Sequence, residues 1–108
     1  MAVKGLPTPA AAYTAASGAV SVGQVRHVKV TSEALTTAAG STYTLTVTSA
    51  QINSVSSVYA SVAYGTATAG TPVVTRVQVA NGTVTILIKN DHASAAFDGT
   101  IVVSYFVV

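Results

Sequence analysis

Few side chains here could move a proton or hold a metal: His27, Glu33, Asp91, His92 and Asp98. Asp91 and His92 are adjacent, so on extended backbone they point to opposite sides. Neither has a ligand-type partner at the spacing a metal site uses. Asp91, His92 and Ser94 supply the three residue types of a hydrolytic triad, yet no Gly-x-Ser-x-Gly elbow presents the serine. Asn90, Asp91 and Asp98-Gly99 read instead as turn formers, with His92 a polar loop residue. His27, between Arg26 and Lys29, reads as an exposed or interface side chain on a strand. Gly65–Gly70 lacks the lysine and following helix of a phosphate loop. Tyr59 and Tyr64, near that loop, are suited to stacking on a sugar or to filling a core or an interface. The expectation is a non-enzyme with no metal and no cofactor.

The elements that position these residues are strands. Pro72–Ala80 and Thr83–Lys89 flank Asn81-Gly82, a two-residue signal for a type I′ hairpin turn. That loop pairs Ala80 with Thr83, Val79 with Val84, Val77 with Ile86 and Thr75 with Ile88. It also puts Gln78 against Thr85, Arg76 against Leu87 and Val74 against Lys89 on the other face, and a slip by one residue would scramble this sorting. Asn81-Gly82-Thr83 also matches a glycosylation acceptor, but the hairpin accounts for Asn-Gly completely.

Thr42–Thr48 alternates Tyr43, Leu45 and Val47 with four threonines. Val55–Tyr64 places Val58, Ala60, Val62 and Tyr64 on one face, and Gly65–Thr71 reads as a flexible loop. Val20 and Val22 alternate, the phase breaks at Gly23-Gln24, and Val28 and Val30 resume it, as in one strand bent or bulged at Gly23. Six strands with short turns predict an all-β fold, an antiparallel β-sandwich or jelly-roll-like domain over residues 19–108. Residues 1–18 predict an extended N-terminal arm, because Pro7 and Pro9 favour polyproline-like backbone.

Composition limits the partners. The chain has 108 residues, of which 7% are charged, against about a quarter in an ordinary soluble domain. Part of the surface is therefore expected to lie against another protein, the alternative being a neutral face kept soluble by hydroxyls. The five basic residues form no run and no aromatic ladder accompanies them, which argues against nucleic acid. No apolar run is long enough for a membrane-spanning helix. Pro7 and Pro9 interrupt what a signal peptide would need as an apolar stretch.

The last strand, Thr100–Val108, is apolar on both faces: Ile101, Val103, Tyr105 and Val107 on one, Val102, Phe106 and Val108 on the other. One face belongs to the sandwich core. The second needs another cover, either a symmetry mate around a two-fold or three-fold axis or the N-terminal arm. The expectation adopted is a homotrimer, with Val102, Tyr105, Phe106 and Val108 as candidate interface residues.

The arm MAVKGLPTPAAAYTAASG and the ending NDHASAAFDGTIVVSYFVV make the chain similar in style to small virion proteins of tailed bacteriophages. It resembles most their capsid decoration (cement) and head-fibre proteins. The resemblance covers the whole length, is one of composition and architecture, and carries no catalytic or binding motif. It implies a structural virion protein on the capsid surface, a homotrimer at capsomer junctions whose arm reaches neighbouring major capsid protein subunits. Lys4, Leu6, Pro7, Pro9 and Tyr13 are then the candidate capsid contacts. A trimeric fibre tip that binds cell-surface carbohydrate is the alternative.

Overall fold

A computed structural model describes residues 11–23 and 25–108. Among the described residues eight strands are present: β1 (Ala11–Thr14), β2 (Ala19–Ser21), β3 (His27–Thr31), β4 (Thr42–Thr48), β5 (Val58–Tyr64), β6 (Pro72–Ala80), β7 (Thr83–Asn90) and β8 (Ile101–Val107). They form two four-stranded sheets, sheet A in the order β1-β3-β8-β5 and sheet B in the order β2-β4-β7-β6. The all-β sandwich expected from the alternating pattern is what the chain forms. It is antiparallel apart from β1 on β3 and β2 on β4, two short edge strands that pair parallel.

Period-2 alternation builds the core directly. Val28 and Val30 of β3 and Ile101, Val103, Tyr105 and Val107 of β8 face Tyr43, Leu45 and Val47 of β4 and Val84, Ile86 and Ile88 of β7, all buried. These are the four inner strands of the two sheets, so each is flanked on both sides. Leu35, Ala67 and Phe97 come from the loops at one end of the sandwich, Val22 and Ile52 from those at the other.

The β6–β7 hairpin keeps the expected register near its tip, with Ala80 against Thr83, Val79 against Val84 and Val77 against Ile86. Farther out the expected register fails. A bulge between Val74 and Arg76 sets Val74, not Thr75, opposite Ile88 and moves Val73 opposite Lys89. The extra residue lets a valine take the inward position and sends Thr75 and Arg76 both outward. The turn also differs from type I′, because Gly82 has a positive φ of 79° whereas Asn81 does not. The tip is tied to the β4–β5 connection: Ser54 N–H donates to Asn81 Oδ1 at 2.9 Å, and Gly82 N–H to the Ile52 carbonyl at 2.8 Å.

A turn of the I′ kind occurs elsewhere. Ser17 and Gly18 have φ of 50° and 75°, and Ala16 and Ala19 exchange two backbone hydrogen bonds of 3.0 Å around them. This turn carries the chain from sheet A to sheet B. The expected arm of residues 1–18 therefore does not stay apart from the sandwich as far as Gly18. Ala11–Thr14 is a strand of sheet A and Ala15 lies in the core; the pairing of β1 on β3 supplies the backbone partners that a free arm would lack. The single bent strand expected from Val20 to Val30 is likewise two strands, β2 in sheet B and β3 in sheet A. The phase break at Gly23 marks a crossing between sheets rather than a bulge within one.

Candidate functional site

The acidic and histidine side chains are scattered, and each described carboxylate is engaged. Tyr43 Oη donates to Glu33 Oε1 at 2.8 Å, and burial together with this carboxylate pushes the Tyr43 phenol well above its ordinary range. Asp91 lies 3.7 Å from Lys89 Nζ across an exposed pair. Asp98 Oδ2 accepts from the Thr68 hydroxyl at 2.7 Å and Oδ1 from the amides of Thr68 and Ala69, contacts that hold its carboxyl below the usual carboxylate value. His92 Nδ1 accepts from the amides of Ser94 and Ala95, which fixes a tight local turn. Among the described residues no three metal-ligating side chains gather.

Gly65–Thr71, expected to be flexible, is instead pinned. Gly65 N–H and Ala67 N–H both donate to the Thr100 carbonyl, Thr66 and Thr100 exchange side-chain contacts, and the Tyr64 hydroxyl donates to the Gly70 carbonyl. The organiser of this end is Asn90, fully buried. Its Oδ1 accepts from the amides of Thr71 and His92, and its Nδ2 donates to the carbonyls of Thr37 and Ala95. One amide side chain thus joins three loops, a high-stakes arrangement because any partner left unmade inside costs about 1–3 kcal/mol.

The two outward faces differ in chemistry. Sheet B shows Thr42, Thr44, Thr46 and Thr48 of β4 with Thr83 and Thr85 of β7, including the direct pairs Thr46–Thr85 and Thr48–Thr83. That face is solvated by hydroxyls. On sheet A the register sets His27, Phe106 and Tyr59 in one row, Lys29, Ser104 and Ser61 in the next, and Thr31, Val102 and Ala63 in a third. The Phe106 and Tyr59 rings stack with centroids 5.1 Å apart and planes 26° from parallel. A depression of about 250 Å³ lies beside them, lined by His27, Tyr59, Ala60, Ser61, Ser104 and Phe106.

Four exposed large apolar side chains gather at one corner of sheet A, while Tyr64, at the far end of β5, and Val73, on sheet B, stand apart from them. Val55 is 87% exposed, Val108 70%, Tyr59 56% and Phe106 47%. They are contiguous: Ser57 and Val108 exchange backbone hydrogen bonds, Val55 and Val108 border one hollow, and Tyr59 lies on Phe106. A cluster of this sort, unlike a lone exposed valine, marks a contact surface.

Of the candidate interface residues, Val102 and Phe106 lie on this outward face and Val108 at its corner. Tyr105 does not belong with them: it is 1% exposed and points between the sheets, because it shares the parity of Ile101 and Val103. Its hydroxyl has no hydrogen-bond partner among the described residues, and burial, with neighbouring Tyr13, pushes its phenol up to about 12. Of the candidate arm contacts, Lys4, Leu6, Pro7 and Pro9 lie outside the described residues. Tyr13 is part-buried in β1, packs on the core and accepts a 3.1 Å hydrogen bond from Gly23 N–H. The strand expected over Val55–Tyr64 begins only at Val58, which leaves Val55 in a serine-rich turn at the surface, a position that the expected strand did not mark as a contact residue. Compared with protein-family models, curated proteins and solved structures, the chain has no match in any of the three.

Proposed function

We propose that this chain is a structural protein of a virion exterior, a capsid decoration protein that works by non-covalent contact. The observation that carries the reading is the uncovered corner of sheet A, where Val55, Tyr59, Phe106 and Val108 stand exposed together. A chain with so few charges gains by covering such a patch, at roughly 25 cal/mol per Å² of apolar area removed from water. Its described carboxylates are occupied internally, while Arg26, beside Val55 and Val108, and Lys29, on the outer face of sheet A, have no anionic partner among the described residues. The surface offered to a partner is therefore apolar with a positive rim, suited to the major capsid protein and to further copies of the chain. The resemblance to decoration proteins adds a homotrimer and an arm, Lys4, Leu6, Pro7 and Pro9 included, that extends contact to neighbouring shell subunits.

Co-sedimentation with expanded capsid shells of the parent phage tests this. The intact chain pellets with shells, and Val55→Ser with Phe106→Ser weakens binding by about tenfold or more while leaving the fold intact. Shells that do not retain the intact chain at all contradict the reading. A second reading, a fibre-tip module for carbohydrate, draws on the Tyr59–Phe106 stack and the serine-lined depression beside it. Glycan binding that vanishes in Tyr59→Ala favours it.

A further inference from the structure

Among the described residues the sandwich has four strand edges, and three are guarded. β1 and β2 are four and three residues long and are joined through the Ser17–Gly18 turn. β6 begins with Pro72, is interrupted by the bulge at Thr75 and carries Arg76. Proline, bulge and charge are the devices that keep one sheet edge from pairing with another. β5 has none of them. Its seven residues hold an unbroken register on β8, include no proline, glycine or charge, and have no strand on their other side among the described residues.

A second observation falls on the same strand. The inward side chains of all the edge strands are only part-buried, Tyr13 and Val20 on the β1–β2 flank and Val58, Ala60, Val62, Val74, Val77 and Val79 on the β5–β6 flank, whereas those of β3, β4, β7 and β8 are buried. Three of them, Val58, Ala60 and Val62, lie on the unguarded strand itself.

Taking as its starting point the reading that copies of the chain associate, we infer that a second copy covers the edge of β5. Its β5 pairs antiparallel with the first across a two-fold axis and makes one continuous eight-stranded sheet. β5 is self-complementary for this. A two-fold pair maps each face onto itself, so residues of equal parity must oppose each other. Centred on Ser61, the register sets Ser61 against Ser61 of the second copy and Tyr59 against Ala63 outside, with Ala60 against Val62 and Val58 against Tyr64 inside. No charge opposes a charge. The part-buried Val58, Ala60 and Val62 then gain cover from the second copy, while Pro72 and the bulge keep β6 from pairing with its counterpart. The result is a two-fold pair, not the three-fold ring that the resemblance implies.

Light scattering on the intact chain from about 1 to 100 µM tests this. The expected mass at the upper end is twice the 10.8 kDa of one chain. Ser61 is exposed on the outer face, so Ser61→Lys leaves the fold intact but sets two ammonium groups face to face and weakens association about tenfold. Ser61→Glu does the same, and an equimolar mixture of the two variants restores the doubled mass. A threefold mass, or wild-type protein that stays single at the upper concentration, overturns the inference. So does a Ser61→Lys variant that associates as well as wild type, the result expected if a partner strand or the chain's own residues 1–10 occupied the edge. Shell binding is a separate readout. A pair that ignores shells removes the virion role and leaves the pair standing, whereas single chains bound to shells do the reverse.

Discussion

Along the β1–β2 flank the chain passes from one sheet to the other within the two residues Ser17 and Gly18; Ala15 behind that turn is buried, the Tyr13 hydroxyl is tied to Gly23, and Tyr13 and Val20 stay part-buried. Along the β5–β6 flank the chain crosses between sheets through the longer, pinned loop 65–71, and six inward side chains stay part-buried. Both flanks border the same core and use the same small apolar residues. The difference is that one is closed by the chain's own backbone, while the other ends in a regular, uncharged strand edge. Closure by covalent continuity is independent of concentration; closure by a second copy is not.

Breaking the β1–β2 turn has the largest expected effect. A Cβ on Gly18 would lie 2.6 Å from the Thr44 carbonyl oxygen, on backbone with φ of 75°. Gly18→Ala should therefore cost about 3 kcal/mol, combining left-handed strain with the displaced β4 backbone, and the loss should be the same at every protein concentration in urea unfolding. An equivalent loss at Gly82→Ala, where a Cβ meets nothing within 4 Å, would contradict the role given to close approach at Gly18.

Alkaline pH gives the next effect. Burial and the nearby Tyr13 raise the Tyr105 phenol from 10.0 to about 12, so the folded state holds that proton more tightly than the unfolded chain. The stability so linked is complete below pH 10 and is lost as pH rises toward 12, by up to about 2 kcal/mol. Tyr105→Phe should remove the Tyr105 share of the alkaline slope and leave the share that comes from Tyr43, as followed by chemical unfolding at stepped pH.

The smallest effect sharpens the contrast most. Val28→Ala, on the fully buried row of β3, should cost about 2 kcal/mol, and Val62→Ala on β5 about half as much in dilute protein. At high concentration the two losses should converge, because the second copy covers Val62. Losses that stay unequal at every concentration would mean that β5 gains no cover.

Much of this fold was legible in the residues, and what was not has identifiable causes. Strong alternation in Thr42–Thr48 and Val77–Ile88 gave those strands and their inward faces, while the last strand could be placed but its two apolar faces could not be told apart. The bulge escaped because simple alternation puts Thr75 inward. The successive polar pair Thr75-Arg76 between Val74 and Val77 is the signal that could have found it. β1 and β2 are too short to show a period, and their partners lie far along the chain, so nothing local announced them; Ser17-Gly18 is a turn dipeptide that reads equally well as the end of an arm. The pinned state of loop 65–71 depends on Asn90, Asp98 and Thr100, contacts that no spacing within the loop reveals. Of the candidate surface, Val102, Phe106 and Val108 followed from the doubly apolar last strand. Tyr105 did not, since its own parity places it in the core. The unguarded edge was written plainly in the uncharged run Val58–Tyr64, but only the sheet order makes it an edge.

Amide hydrogen exchange at β5, followed as protein concentration is raised through the association range, tests the central claim most directly. Edge amides of Val58–Tyr64 should slow progressively while those of β4 and β7 stay unchanged, and Ser61→Lys should abolish that slowing. Exchange at β5 that is the same in dilute and concentrated solution would contradict the account.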